Sequence, residues 1–176
     1  MLKSMIEELG KLNSDFHAKQ WQDKYKAIAK ELYKLSELYI ILNPNTIDRE
    51  QKTGRPFVGL KNNMSTIFIF SDLEFAKQWQ EHYSMQFQGC IGKIDKSSFD
   101  RFFAVAEYFR ILFVLINEGQ PFIGMAIKDI MDINEIKREI AFCSEYLDNA
   151  LEEGSEEIAS NKLGINFENY ELVEEQ

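Results

Sequence analysis

The chain has 176 residues, 45% of them apolar and including 14 Phe, 7 Tyr and 2 Trp, which is enough for one globular domain with a well-buried core. Its net charge of −9 is uneven: residues 1–131 hold 17 basic and 16 acidic side chains, whereas residues 132–176 hold 3 and 13. Polyanions require clustered Lys and Arg to replace their counterions, so an acidic last quarter argues against nucleic acid and anionic membrane as partners.

In chain order, a short helix is expected near residues 4–9. A long amphipathic helix follows, its face drawn by Trp21, Tyr25, Ile28, Leu32 and Leu35 at 4-3-4-3 spacing and its start capped by Asn13, Ser14 or Asp15. The opposite face carries Lys19, Lys24, Lys26, Lys30 and Lys34, with Asp23, Glu31 and Glu37 interleaved, and reads as a solvated surface. Residues 38–42 form an apolar run that ends at Asn43-Pro44-Asn45, which predicts a buried strand followed by a turn, and residues 46–56 read as a loop. Residues 57–61 and 64–70 flank Asn62-Asn63, a pair that tolerates the positive φ of a type I′ hairpin turn.

Ser71 and Glu74 have capping-box spacing ahead of a helix carrying Phe75, Ala76, Trp79 and Tyr83. A strand is expected over residues 90–94, then a helix capped by Ser97 or Ser98, a strand over 111–116, a turn at Asn117-Glu118-Gly119 and a strand over 122–125. A second long amphipathic helix is predicted to start at Asp132, with Glu135 in capping-box position, and to run through Ile133, Ile136, Ile140, Cys143, Leu147 and Leu151. The fold class is therefore α+β, with a mixed or antiparallel sheet of about five to six strands flanked by long N- and C-terminal helices. The expected organisation is a helical extension over 1–37, a core over 38–130, a helix over 131–153 and an acidic, partly ordered tail over 154–176.

The run Ile69-Phe70-Ser71-Asp72 before a helix with Phe75-Ala76, and the later run Leu115-Ile116-Asn117-Glu118-Gly119, resemble the N-terminal domain of SseB-family proteins over about residues 38–130. In that family the second motif commonly reads Asn-Pro-Gly, and here Glu118 stands in place of the Pro. The resemblance implies a bacterial cytoplasmic α+β domain without an established catalytic site.

Chemistry has few footholds in this chain. No apolar run reaches the roughly 18–20 residues of a membrane span and residues 1–10 lack a signal-peptide core, so a cytoplasmic location is expected. Cys90 and Cys143 lack CxxC spacing or neighbouring His and read as reduced core thiols. His17 and His82 are the only histidines, and neither shows a motif for nucleophilic catalysis or metal binding, so no cofactor or metal is expected. Gly89-Cys90-Ile91-Gly92-Lys93 lacks the spacing of a phosphate loop. Asp72, Glu74, Asp95 and Asp100 fall at helix starts, where the macrodipole favours them, which leaves Glu107 and Glu118 as the acids worth testing.

Three functional readings follow. The leading one is a noncatalytic interaction or regulatory domain that binds an unidentified protein through an exposed sheet edge or a groove beside the helices. The acidic end, with Glu152, Glu153, Glu156 and Glu157, would steer a basic partner, an immunity-type inhibitor of a basic toxin being one form. The second is a small-ligand domain with a pocket lined by Trp79, Phe102, Phe103 and Tyr108, with Glu107 and Glu118 nearby. The third is a carboxylate enzyme. The a/d-like stripes of the two long helices also leave a homodimer open.

Overall fold

The computed structural model describes residues 1–12, 16–83, 85–138 and 169–173. Among them are five helices, α1 (Leu2–Gly10), α2 (Ala18–Tyr33), α3 (Leu73–Tyr83), α4 (Phe99–Tyr108) and α5 (Ile127–Ile133). The strands are β1 (Glu37–Ile41), β2 (Thr53–Gly54), β3 (Val58–Lys61), β4 (Met64–Phe70), β5 (Ile91–Asp95), β6 (Phe113–Ile116), β7 (Ile123–Ala126) and β8 (Tyr170–Leu172). They form one mixed sheet of order β2-β8-β5-β1-β4-β6-β7, with β3 paired to β4. The α+β class holds, while the sheet has eight strands rather than five or six.

Alternation along the strands separates two apolar layers. Leu38, Ile40, Ile67, Ile69, Ile94, Val114 and Ile116 face a core completed by α1, α2, α4 and α5, so both N-terminal helices belong to the same core as the sheet. The alternate residues Ile41, Phe68, Phe70, Ile91 and Leu115 pack with Ala76 and Trp79 of α3 and with Phe87. Each fully buried side chain of this kind contributes about 1.5–3 kcal/mol. An exposed ion pair such as Lys24–Glu8 is screened by solvent and adds little, so the two apolar layers carry the stability.

The turn at Asn62-Asn63 forms as its composition predicts, with φ of 51° and 61° and Lys61 opposite Met64. Both β1 and β3 run along the same edge of β4. Ile40 pairs with Ile69, the chain departs after Ile41, and it rejoins that edge at Val58 opposite Ile67, with Phe57 N–H donating to the Ile41 carbonyl. The excursion between them was expected to be loop, yet it contains β2, which pairs with β8. The second strand missed in the sequence, β8, lies in the expected acidic tail. Tyr170 is buried edge-on to Phe102 at 5.7 Å, and Glu171 lies 3.7 Å from Lys93, which inserts this short strand between β2 and β5.

Three expected helix starts differ. The cap position of α2 is His17, with the helix beginning at Ala18, and not Asn13, Ser14 or Asp15. The α3 cap is Asp72, whose Oδ1 accepts from the Glu74 N–H at 2.8 Å, because the Ser71 hydroxyl is engaged with Asn117. A helix does not begin at Asp132: that residue lies in the last turn of α5, and Glu135 has φ of 56°. The physical reason is Asn134, whose amide donates to the carbonyls of Ala29 and Ile130 and closes α5 against α2. The remainder of the predicted C-terminal helix, with Ile140, Cys143, Leu147 and Leu151, lies outside the described residues, as do the Asn13–Asp15 cap candidates.

Candidate functional site

The sheet pairs β4 and β6 in parallel, and their carboxyl ends lie side by side. Asn117 leaves β6 with φ of 60°, a conformation Asn tolerates, and is fully buried. Its Oδ1 accepts from the Ser71 N–H at 2.9 Å and its amide donates to the Ser71 hydroxyl at 3.0 Å, tying the end of β6 to the start of the α3 turn. This bond aims the next residue, Glu118, beneath α3. The Glu118 side chain is 5% exposed; Oε2 accepts from Trp79 Nε1 at 2.9 Å and Oε1 from Lys61 Nζ at 2.9 Å. A buried carboxylate without such partners would cost several kcal/mol.

Above this carboxylate opens a recess of about 240 Å³, lined by Phe75, Gln78, Trp79, His82, Glu118, Gly119 and Gln120. At its rim Gln120 Nε2 donates to Gln78 Oε1 at 2.7 Å, and Gln78 Nε2 donates to Glu74 at 3.3 Å. Lys3 Nζ lies 3.4 Å from Gln120 Oε1 and 5.5 Å from the centre of the Phe75 ring.

A larger groove, about 500 Å³, runs between α2, α5 and the outer edge of the sheet, lined by Trp21, Gln22, Tyr25, Lys26, Phe113, Gly124, Asp129, Asp132 and Ile133. Its edge is β7, the last strand in the sheet order. Ile127 N–H donates to Leu112 on the β6 side, whereas Ala126 N–H turns outward to the Tyr25 hydroxyl at 3.3 Å. In an antiparallel ladder successive residues alternate in this way, so Gly124, two positions before Ala126, also presents its N–H and C=O to the outer edge. Tyr25 donates to Asp129 at 3.0 Å and stacks on Trp21 with ring centres 5.1 Å apart. Burial, with Asp129 beside it, pushes the Tyr25 hydroxyl up to about 12 against the opposing Ala126 N–H, so it stays a neutral donor at ordinary pH.

The residues expected to line one pocket are distributed among three places. Phe102 and Phe103 are 0% exposed in the core on the helix-rich face. Trp79 packs on the opposite face, so the sheet separates them. Tyr108 is 58% exposed, with its ring against Phe109 at the end of α4. Only Trp79 and Glu118 of that set share a cavity. Glu107 faces Arg138, which bonds its carboxylate at 2.8 Å and reaches Asp132 at 2.6 Å. The Gly89–Lys93 stretch runs through a turn with Gly89 at φ of 66° directly into β5, so a strand and not a helix start follows the glycine turn. Cys90 is a buried free thiol, and burial pushes its ionisation upward. Glu152, Glu153, Glu156 and Glu157 lie outside the described residues.

Lys61, Asn117, Gln120 and the edge residue Gly124 escaped the sequence reading, because only the strand order brings β3, α3 and the β6–β7 turn together. The one local signal was Asn-Glu-Gly, a triplet suited to positive φ. Among the described residues no group of three or more His, Cys, Asp or Glu is placed to hold a metal ion, and no helix is long and apolar enough to cross a membrane. No family model matches this chain, and neither a curated protein nor a solved structure matches it.

Proposed function

We propose that this protein is a noncatalytic interaction domain that takes an extended segment of a protein partner along the outer edge of β7, which pairs with no further strand among the described residues, in the groove beside α2. The observation that carries the reading is the outward-facing backbone of Gly124, set beside the Tyr25–Trp21 stack. A strand added to such an edge gains main-chain hydrogen bonds, while the ring stack, Phe113 and Ile133 receive its apolar side chains. The loose SseB-like pattern of residues 69–72 and 115–119 supports a bacterial cytoplasmic setting for a domain of this kind. The excess of acidic residues after position 131 supports a basic partner, an immunity-type inhibitor of a basic toxin being one such case.

The test uses a randomised peptide library displayed on phage, with the selected peptides measured by fluorescence anisotropy. Gly124→Pro removes an N–H that faces away from β6, and an edge strand tolerates Pro at such a position. Binding is expected to weaken at least about tenfold, or about 1.4 kcal/mol, with the melting temperature little changed. Peptides that bind Gly124→Pro as well as the parent chain would remove the strand-addition reading. For steering, replacing Glu152, Glu153, Glu156 and Glu157 by Gln is expected to slow association with a basic peptide severalfold at low salt and to leave it unchanged at high salt. Equal association rates at low salt would show that these residues do not steer.

A further inference from the structure

A second site, distinct from the β7 edge, lies in the Glu118 recess. We infer that it binds a small organic cation, an alkylammonium or guanidinium group, whose charge is received by Glu118 and whose carbon chain lies against Phe75 and Trp79. Three features agree on the sign of the ligand. The first is the carboxylate itself: it is 5% exposed and accepts two hydrogen bonds, from Trp79 and Lys61, whereas a carboxylate offers about four acceptor positions. Two remain for a further donor.

The second feature is the polarity of the rim. Lys3, Gln120, Gln78 and Glu74 form a series in which every donor points the same way and the last acceptor is a carboxylate. The Gln120 oxygen thereby receives a cation, the Lys3 ammonium, while its amide nitrogen donates to Gln78. Third, the chain already places a cation there: the Lys3 ammonium lies 5.5 Å from the Phe75 ring centre and 3.4 Å from Gln120 Oε1. Aromatic faces attract cations by about 0.5–2 kcal/mol and offer no such gain to an anion. At about 240 Å³ the recess is smaller than a drug-sized pocket, which suits one short amine or the end of a basic side chain.

The probe is n-butylammonium, with butyrate and butanol as controls of matched size. It is followed through the Trp79 indole N–H in nitrogen-15 correlation spectra of the intact protein. Butylammonium is expected to shift that resonance saturably with a dissociation constant of about 1 mM or tighter, and the controls are expected not to. Glu118→Gln keeps an oxygen for Trp79 while removing the charge, and is expected to weaken binding at least about tenfold. Should that variant unfold, Phe75→Leu leaves the turn intact and is expected to weaken binding severalfold, whereas Lys3→Met removes the resident ammonium and strengthens it. Equal response to butanol, no response to butylammonium, or undiminished binding by Glu118→Gln or, should that variant unfold, by Phe75→Leu would overturn the inference. Gly124→Pro is expected to bind butylammonium unchanged, so the recess and the peptide edge stand or fall separately.

Discussion

Phe102→Ala is expected to lower the free energy of unfolding by about 3–5 kcal/mol. The ring is 0% exposed, lies 5.2 Å from Phe103 and meets Tyr170 edge-on at 5.7 Å. Removing it opens a cavity between α4 and the sheet and withdraws the surface on which β8 rests. Two readouts check this: the denaturant midpoint, and amide exchange in β8, which is expected to accelerate more than exchange in β6. Tyr108→Ala, six residues along the same helix at a 58% exposed position, is expected to change stability by about 1 kcal/mol or less. A comparable loss at both positions would contradict the assignment of Phe102 to the core.

The second large effect is expected at Asn117. Replacement by Ala leaves the Ser71 N–H without the Oδ1 acceptor at 2.9 Å, which costs about 1–3 kcal/mol when the donor is enclosed. It also places a non-Asn side chain at φ of 60°, which adds about 1–2 kcal/mol. The expected total is about 2–5 kcal/mol. Asn117→Gly removes the same hydrogen bonds without the conformational penalty and is expected to lose about 1 kcal/mol less. Denaturant unfolding of the pair separates the two causes: identical losses would show that the backbone conformation contributes nothing. Because Asn117 also aims Glu118 beneath α3, both variants are expected to weaken butylammonium binding in proportion to the disorder they introduce at the turn.

Local signals were strongest where one residue type has a single backbone use. Asn62-Asn63 predicted its turn, and the Trp21–Leu32 stripe predicted the buried face of α2, with Ile28 and Leu32 fully enclosed. They were weakest where two residues compete for one role. Ser71 has the spacing of a cap, yet it bonds across the sheet to Asn117 and leaves capping to Asp72. Asp132 and Glu135 likewise have the spacing of a helix start, but Asn134 closes α5 between them by reaching Ala29, a partner 105 positions earlier. The candidate pocket failed for a related reason. Trp79, Phe102 and Phe103 share an aromatic character and a helical setting, and nothing in their spacing says that the sheet lies between them.

From the sequence alone follow the α+β class, the hairpin at Asn62-Asn63, most of the helices and central strands, and the concentration of acidity after position 131. All of these depend on residues within a few positions of one another, where periodicity and turn chemistry act directly. Tertiary structure decided the rest. The parallel pairing of β4 with β6 brings Ser71 beside Asn117, the return of the chain to the β4 edge brings Lys61 to Glu118, and the end position of β7 leaves Gly124 facing outward. Such placements depend on which strands become neighbours, an outcome settled by burying both faces of the sheet at once and not by any local run of residues.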